Sequence, residues 1–460
     1  MEPDKKPGKD LMERIAEAPA AALDATLQET ESLANKLPIG KPVASTRKYW
    51  NILGPGLTTG AADDDPSGIA TYSQAGAQYG FQLLWLSAFT FPLQAIVQEM
   101  CARIGIVTGR GLAANIRAHF SSKVVYGCAL LLFAANAFNI GADLGAMAKA
   151  VQLLHRGVSY SLVVICFVAL TLFLQILLPY ARYAKYLKWL AMILLAYVAS
   201  AILSHLNWGT VLHKTLTPSI RFNKDQLLLI CAILGTTISP YLFFWQTSQE
   251  VEEEIVSGET SLASRQGSDK KTIKNMRIDT WSGILLSNII MFSIIAVCGA
   301  ILFPKGITHI KTAAEAAGAL RPFAGNLTYG LFATGIIGMG LLAIPVLAGS
   351  SSYALAESFK KHEGLYRKFK QAHAFYGIII VSMLVGLSLN FIGLDPIKAL
   401  IYAAIANGIV APVVLVLIVI ISSNRHIMGD WTNRRSTTWL GWGVAGIMGL
   451  AGLAAIYSIF

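Results

Sequence analysis

Apolar runs of about twenty residues recur along most of this chain, and nothing else limits its fold so strongly. A helix of that length crosses the ~30 Å hydrocarbon layer of a bilayer. Inside that layer each backbone N–H and C=O needs a partner within the protein, so the runs are expected to be helices. Only 14% of the residues are charged and 54% are hydrophobic, whereas soluble domains carry about 25% charge. The net charge of +11 does not point to nucleic acid, because no basic cluster is interleaved with aromatics. The five cysteines, Cys101, Cys128, Cys166, Cys231 and Cys298, all fall in apolar runs without metal-ligand spacing and are expected to be small buried hydrophobes.

About 11 spans are expected, near 50–75, 80–105, 123–153, 158–179, 184–205, 226–249, 278–303, 328–355, 372–391, 396–422 and 437–460. With the N-terminus inside, about three quarters of the 37 Lys and Arg fall on the cytoplasmic side, as the positive-inside rule expects. The reading is therefore a multi-pass plasma-membrane protein in contact with the lipid bilayer, its N-terminus cytoplasmic and its C-terminus extracellular. Residues 1–48 form a polar cytosolic arm. Residues 49–205 and 226–422 form two repeats of five spans, and 437–460 adds a final helix. Five spans in the first half put the second half in inverted orientation.

Two spans are interrupted. Pro66 and Gly68 break the first, within "GAADDDPSGIA". Pro240 breaks the sixth, within "LGTTISPYLFF". Interrupted helices at corresponding positions of two halves mark a transporter's substrate site, where freed carbonyls line a cavity. Asp63, Asp64 and Asp65 stand at the first break with no Lys or Arg in their own span after Lys48. A carboxylate costs about 2.5–3.5 kcal/mol at mid-membrane, so a mobile cation is the expected partner. Asp65, directly before the proline, is the best-placed ligand. Asp63 and Asp64 are expected nearer an aqueous vestibule, where they concentrate cations, and Asp64 is included among the metal-site candidates.

The stretch "GPGLTTGAADDDPSGIATYSQAGAQYGFQLLW" resembles the first-helix signature of the NRAMP family of divalent metal transporters: Gly-Pro-Gly, eight residues, then Asp-Pro-Gly-Asn. The sixth span and "ANGIVAP" in the tenth extend the resemblance over most of the membrane region. It implies an all-α LeuT-type fold with helices 1 and 6 broken and the metal between them. It also implies where this chain departs. Gly68 stands at the family's Asn ligand and Ser239 at its Met. Tyr241 and Gln246 stand at two histidines, Ala135 and Phe138 at an acidic pair tied to proton movement, and Ala404 at a Gln. This pattern is similar to the NRAMP-related magnesium transporters, which implies transport of Mg²⁺ and Mn²⁺ without proton coupling.

The chemistry of the replacements points the same way. Sulfur favours later transition metals, whereas Mg²⁺ takes oxygen ligands and sheds its water reluctantly. Smaller side chains make room for a partly hydrated ion. Asp65 and Asp64, carbonyls around Gly68 and Thr236, and the Thr236 and Ser239 hydroxyls are the expected metal-site residues. The ion is cargo and no cofactor is called for. The alternatives are a proton-coupled Mn²⁺/Fe²⁺ transporter using Asp63, Asp64 or Asp143, and an organic-substrate symporter on the same fold. Three aspartates at the break would repel an anionic substrate. No nucleophile–base pair points to an enzyme. Thr237 is expected to bond its own backbone. Asp143, Asn136 and Asn139 are intramembrane candidates, Asp143 expected to bond a neighbouring helix or face a cavity. "SQEVEEE" is expected to be a solvated helix extension, residues 257–271 a mobile loop, residues 357–371 a basic interfacial segment and His309 surface.

Overall fold

Each interrupted span is built as two helices in series. The structure, a computed structural model, describes residue 49 and residues 52–177, 195–204, 206–321 and 325–459. The first span consists of α1 (Pro55–Asp63) and α2 (Pro66–Tyr79). The sixth consists of α7 (Lys224–Thr237) and α8 (Pro240–Val256). Each second half-helix starts with proline at its first position, where a missing N–H costs nothing and the fixed φ suits a helix. Proline alone does not break a span here. Pro92, Pro345 and Pro412 lie inside continuous helices. The breaks come where a polar side chain serves the freed backbone: Asp65 accepts from the Gly68 N–H, and Ser239 donates to carbonyls of α7.

The other long elements are α3 (Trp85–Thr108), α4 (Ser122–Leu154), α5 (Tyr160–Leu177), α6 (Leu195–Leu203), α9 (Lys270–Ile301), α10 (Thr328–Ser358), α11 (His373–Leu389), α12 (Pro396–Ser422) and α13 (Arg435–Ile459). The third, fourth, sixth, seventh, eighth, tenth and eleventh spans are helical segments long and apolar enough to cross a membrane. The first is divided, and the second, α3, carries Gln94, Gln98, Glu99 and Arg103, all buried. Their charge is matched internally: Glu99 accepts from Arg277 Nη2 and Trp281 Nε1, both at 2.8 Å. The ninth span is apolar but short, at 17 residues. Only 195–204 of the expected fifth span is described; the rest of it, and the residue 1–48 arm, lie outside the described residues.

The helices pack in two groups. In one, α9 lies against α1, α2 and α3, and α8 lies against α3. In the other, α4 lies against α10, α11 and α5. The tenth span, α12, touches α7 and α2 on one side and α4 on the other. Close approach is set by glycine at two crossings. A Cβ on Gly60 would sit 2.3 Å from the Gly283 carbonyl, and one on Gly235 would sit 2.1 Å from the Ala404 oxygen. Small residues let membrane helices meet at backbone distance.

Several expectations change. Cys166 is exposed on α5, while the other four cysteines are buried. The acidic run ending the sixth span is not a solvated extension: Glu250 and Glu252 are buried. Glu252 is taken up by Tyr353 Oη at 2.5 Å and the N–H groups of Leu365 and Tyr366 at 2.7 and 3.1 Å. The same bonds pin the middle of the 357–371 segment, whose Lys360, Lys361, Lys368 and Lys370 stay exposed. The 257–271 loop contains a short helix, Leu262–Arg265, and Arg265 donates to the carbonyls of Glu259 and Thr260. His309 is exposed, as expected.

Candidate functional site

The two breaks meet at the crossing of α2 and α7. A Cβ on Gly68 would lie 3.1 Å from both Thr236 Oγ1 and the Asp63 carbonyl, and 3.4 Å from the Tyr72 ring. Gly68 is the third residue of α2 and not part of the unwound link. Its contribution is close approach: a side chain there would crowd the Thr236 hydroxyl and the Asp63 carbonyl. The link itself is Asp64–Asp65, with Asp64 closing α1 through its N–H to the Ala61 carbonyl and Asp65 opening α2.

The three aspartates share a sequence run but have different environments. All are fully buried. The Asp65 carboxylate is the most engaged. Its Oδ1 accepts from Ser67 Oγ at 2.6 Å and the Gly68 N–H at 2.7 Å; Oδ2 accepts from Asn139 Nδ2 of α4 at 2.8 Å. It thus caps α2, ties it to α4 and keeps a free lone pair on Oδ2. Asp64 has no hydrogen-bond partner on either oxygen. Asp63 turns to the other side, where Oδ2 accepts from Ser287 Oγ of α9. The expectation that Asp63 and Asp64 stand at an aqueous vestibule is corrected. Cavities of about 600 Å³ and about 350 Å³ exist toward the two ends of the bundle, and none of these aspartates lines either. The breaks sit at mid-bundle, and α9 and α12 cover them on either side.

On the second break, the hydroxyls divide as well. Ser239 Oγ donates to the carbonyls of Gly235 and Thr236 at 2.5 and 2.7 Å. This occupies the Thr236 carbonyl, which the sequence reading offered to an ion. Thr237 bonds its own backbone at Ile233, as expected. Thr236 Oγ1 is buried without a hydrogen-bond partner. Tyr241 Oη donates to the Ala62 carbonyl at 3.0 Å and so ties α8 to the last turn of α1. Gln246 donates to Glu250. Asn136 donates to the Leu347 carbonyl and the Ser350 and Ser351 hydroxyls, which makes it a packing residue between α4 and α10.

What remains is a set of buried oxygens without hydrogen-bond partners: both of Asp64, both of Asp143, Asn139 Oδ1, Tyr72 Oη, Thr236 Oγ1 and Asn407 Oδ1. Asp143 is near enough to Asp65 for their charges to interact. Tyr72 is likewise near Asp63, Asp64 and Asp65. No Lys or Arg is bonded to these aspartates among the described residues. Lys149, which lines a small apolar cavity beside Pro66, has its ammonium 5.3 Å from the Tyr160 ring centroid. Among the described residues no three His, Cys, Asp or Glu converge as a metal cage.

Tyr72, Asn407, Ser287 and Asp279 were missed from sequence. A signal did exist for the α1–α9 contact: Gly56 and Gly60 repeat at four residues, as do Asp279, Gly283 and Ser287. No such spacing marks Tyr72 or Asn407.

The profile of the Nramp family, described as natural resistance-associated macrophage protein-like, matches residues 56–458. A divalent metal cation transporter MntH from Klebsiella pneumoniae is 25% identical over 402 residues, 86% of this chain and 91% of the relative. A protein of the same name from Chromohalobacter salexigens is 25% identical over 435 residues, 92% of this chain and 94% of the relative. The fold is similar to the Eremococcus coleocola manganese transporter, with a TM-score of 0.69 at 20% identity over 92% of this chain and 89% of that one. It is also similar to the nucleobase-cation-symport-1 transporter Mhp1, with a TM-score of 0.55 at 15% identity over 88% of this chain and 91% of that one. The fold is of the LeuT type.

Proposed function

This chain belongs to the Nramp family, whose members are membrane transporters and not enzymes, and on that premise we propose that it carries Mg²⁺ and Mn²⁺ across the plasma membrane. The coarser statement, divalent metal transport, is what the named relatives support. The finer one rests on a single observation: buried oxygens without hydrogen-bond partners stand on both broken spans, at Asp64 and Tyr72 of the first and Thr236 of the sixth. Polar atoms so placed in a membrane interior are costly unless water or a ligand reaches them.

Asp65 supplies the main charge through Oδ2, and Asp64 a second. Thr236 and Ser239 hold waters of the ion's shell through their hydroxyl oxygens. Gly68 lets α2 approach Thr236 and the Asp63 carbonyl closely at the break. Mg²⁺ keeps several waters and binds through one or two carboxylates, which fits a site without a side-chain cage. The ion is cargo, and no cofactor takes part. Residues 49–205 and 226–422 act as inverted repeats that alternate access inward, with 437–460 appended. The N-terminal arm lies in the cytoplasm and the C-terminus outside. Without histidine at 241 and 246 or acids at 135 and 138, transport runs on membrane potential and concentration.

The test is Mn²⁺ uptake into proteoliposomes with Mg²⁺ as competitor and a pH dye in the lumen. Mg²⁺ is expected to inhibit at concentrations comparable to Mn²⁺, and the lumen is expected not to acidify. Uptake untouched by high Mg²⁺ removes Mg²⁺ as cargo. Stoichiometric acidification replaces this reading with proton-coupled Mn²⁺/Fe²⁺ transport through Asp63, Asp64 or Asp143.

A further inference from the structure

We propose that the basic segment after α10, together with the start of α4, binds the headgroup of an anionic phospholipid. α10 ends at Ser358, and α11 begins at His373. Between them Lys360, Lys361, Lys368 and Lys370 are exposed. Phe359, 53% exposed, stacks on Tyr126 of α4, 39% exposed, with ring centroids 5.1 Å apart and planes at 26°. That stack brings Lys360 and Lys361 near the start of α4. Lys123 is exposed there, three residues before Tyr126 and on the same helix face. The Ser121 side chain does not cap α4, so the free N–H groups and positive end of a 33-residue helix add to the three lysines. Among the described residues none of these five lysines forms an ion pair. Acids do little to offset them. α4 has none before Asp143, and the segment has only Glu363, whose charge interacts with Arg367 and Arg117. Glu357 is buried and accepts the Ala114 N–H at 2.8 Å.

The segment is held from beneath. Glu252 accepts the Leu365 and Tyr366 N–H groups, and Tyr376 Oη donates to the Arg367 carbonyl at 2.7 Å. The lysines therefore stand on a fixed backbone, and a ligand need not order it. Lys360 has φ 57°, alone among the described non-glycine residues in being positive. Helices commonly end on glycine in that conformation, and a lysine in its place sets a charge at the turn. The exposed rings decide the class of ligand. A phospholipid meets lysines with its phosphate and aromatic rings with its glycerol and acyl stems, the usual division at a membrane surface. A free phosphate has nothing to set against Phe359. On the orientation proposed above, the leaflet is the inner one, whose anionic lipids attract basic segments next to spans.

The test reads binding and not transport, so it stands whether or not the proposed cargo is right. The full chain in detergent is titrated with phosphatidylglycerol or phosphatidylcholine, and bound lipid is counted by native mass spectrometry. Phosphatidylglycerol is expected to bind at least about tenfold more tightly than phosphatidylcholine. Lys123→Gln, Lys360→Gln and Lys361→Gln, combined, should abolish that preference. Lys270→Gln, Lys271→Gln and Lys274→Gln make the same charge change at exposed positions in the first turns of α9, and should leave it within about twofold. Phe359→Ala, with every lysine kept, should weaken phosphatidylglycerol several-fold. All seven side chains are exposed, so the variants are expected to fold. Equal affinity of the wild type for the two lipids overturns the proposal. So does an equal loss in both triple variants, which would mean general attraction to a basic surface. An unchanged Phe359→Ala, or inorganic phosphate displacing phosphatidylglycerol at equal concentration, would make this a site for soluble anions and overturn it as well.

Discussion

Asp65 does two jobs, and a conservative change separates them. Its Oδ1 caps α2, while its charge is what the ion needs. Asparagine is as good a cap as aspartate. Asn139 can turn its unpartnered Oδ1 toward the new amide. Asp65→Asn should therefore melt within a few degrees of the wild type, because cap and tie survive. Its Mn²⁺ uptake should be nearly abolished. Asp65→Ala should lose uptake as well and fall further in stability, since losing an N-cap costs about 0.5–2 kcal/mol. Thermal unfolding in detergent paired with liposome uptake checks both. Wild-type uptake by Asp65→Asn would move the essential charge to Asp64. Adjacent residues in one run of three thus meet unlike surroundings, and a run of letters does not reveal this.

At the scale of elements, the breaks and the glycine crossings are one design. A half-helix is half as long as a span and cannot bury much alone, so its position depends on close backbone contact with a continuous neighbour. α1 has α9 at Gly60, and α7 has α12 at Gly235. Gly235→Ala would place a methyl 2.1 Å from the Ala404 oxygen and 2.4 Å from the Gly408 nitrogen. Both are backbone atoms that cannot turn aside, so α7 and α12 must separate, at a cost of about 1–3 kcal/mol for overpacking. Gly127→Ala, in α4, meets nothing within 4 Å and should gain about 0.5–1 kcal/mol from helix propensity. The two substitutions should move the melting temperature in opposite directions. A loss of similar size at Gly127 would mean that glycine matters here for flexibility and not for approach.

For the whole molecule, the proposed alternating-access cycle would shift the two helix groups against each other, and bonds between them would open and close. Glu252 is one such link. It lies on α8 and holds Tyr353 of α10 together with the Leu365–Tyr366 loop. In Glu252→Gln an amide NH₂ would face a backbone N–H, and leaving such a buried group unsatisfied costs about 1–3 kcal/mol. The loop should loosen while the spans stay folded. Trypsin should then cut near Lys360, Lys361 and Arg367 several-fold faster (roughly three- to tenfold, for a loss of about 1 kcal/mol of local stability). Unchanged cleavage would show that the loop is held by other contacts.

Spans, breaks and family were legible in the sequence because each depends on local chemistry. A run of apolar residues spans wherever it occurs. Proline removes an N–H in any context, and Asp or Ser beside it supplies the group that lets the helix end. The spacing from Gly-Pro-Gly to Asp-Pro is likewise a property of one segment. The partners were decided by tertiary structure. Which aspartate faces Asn139, which faces Ser287 and which stays unpaired depends on elements 74 and 224 residues away in sequence. The same holds for Asp279 under α1, Glu252 under the loop, and the burial of all three aspartates in place of a vestibule. Such pairings follow from how helices cross. A crossing is set by surfaces from distant segments meeting at once, which no single stretch of the chain contains.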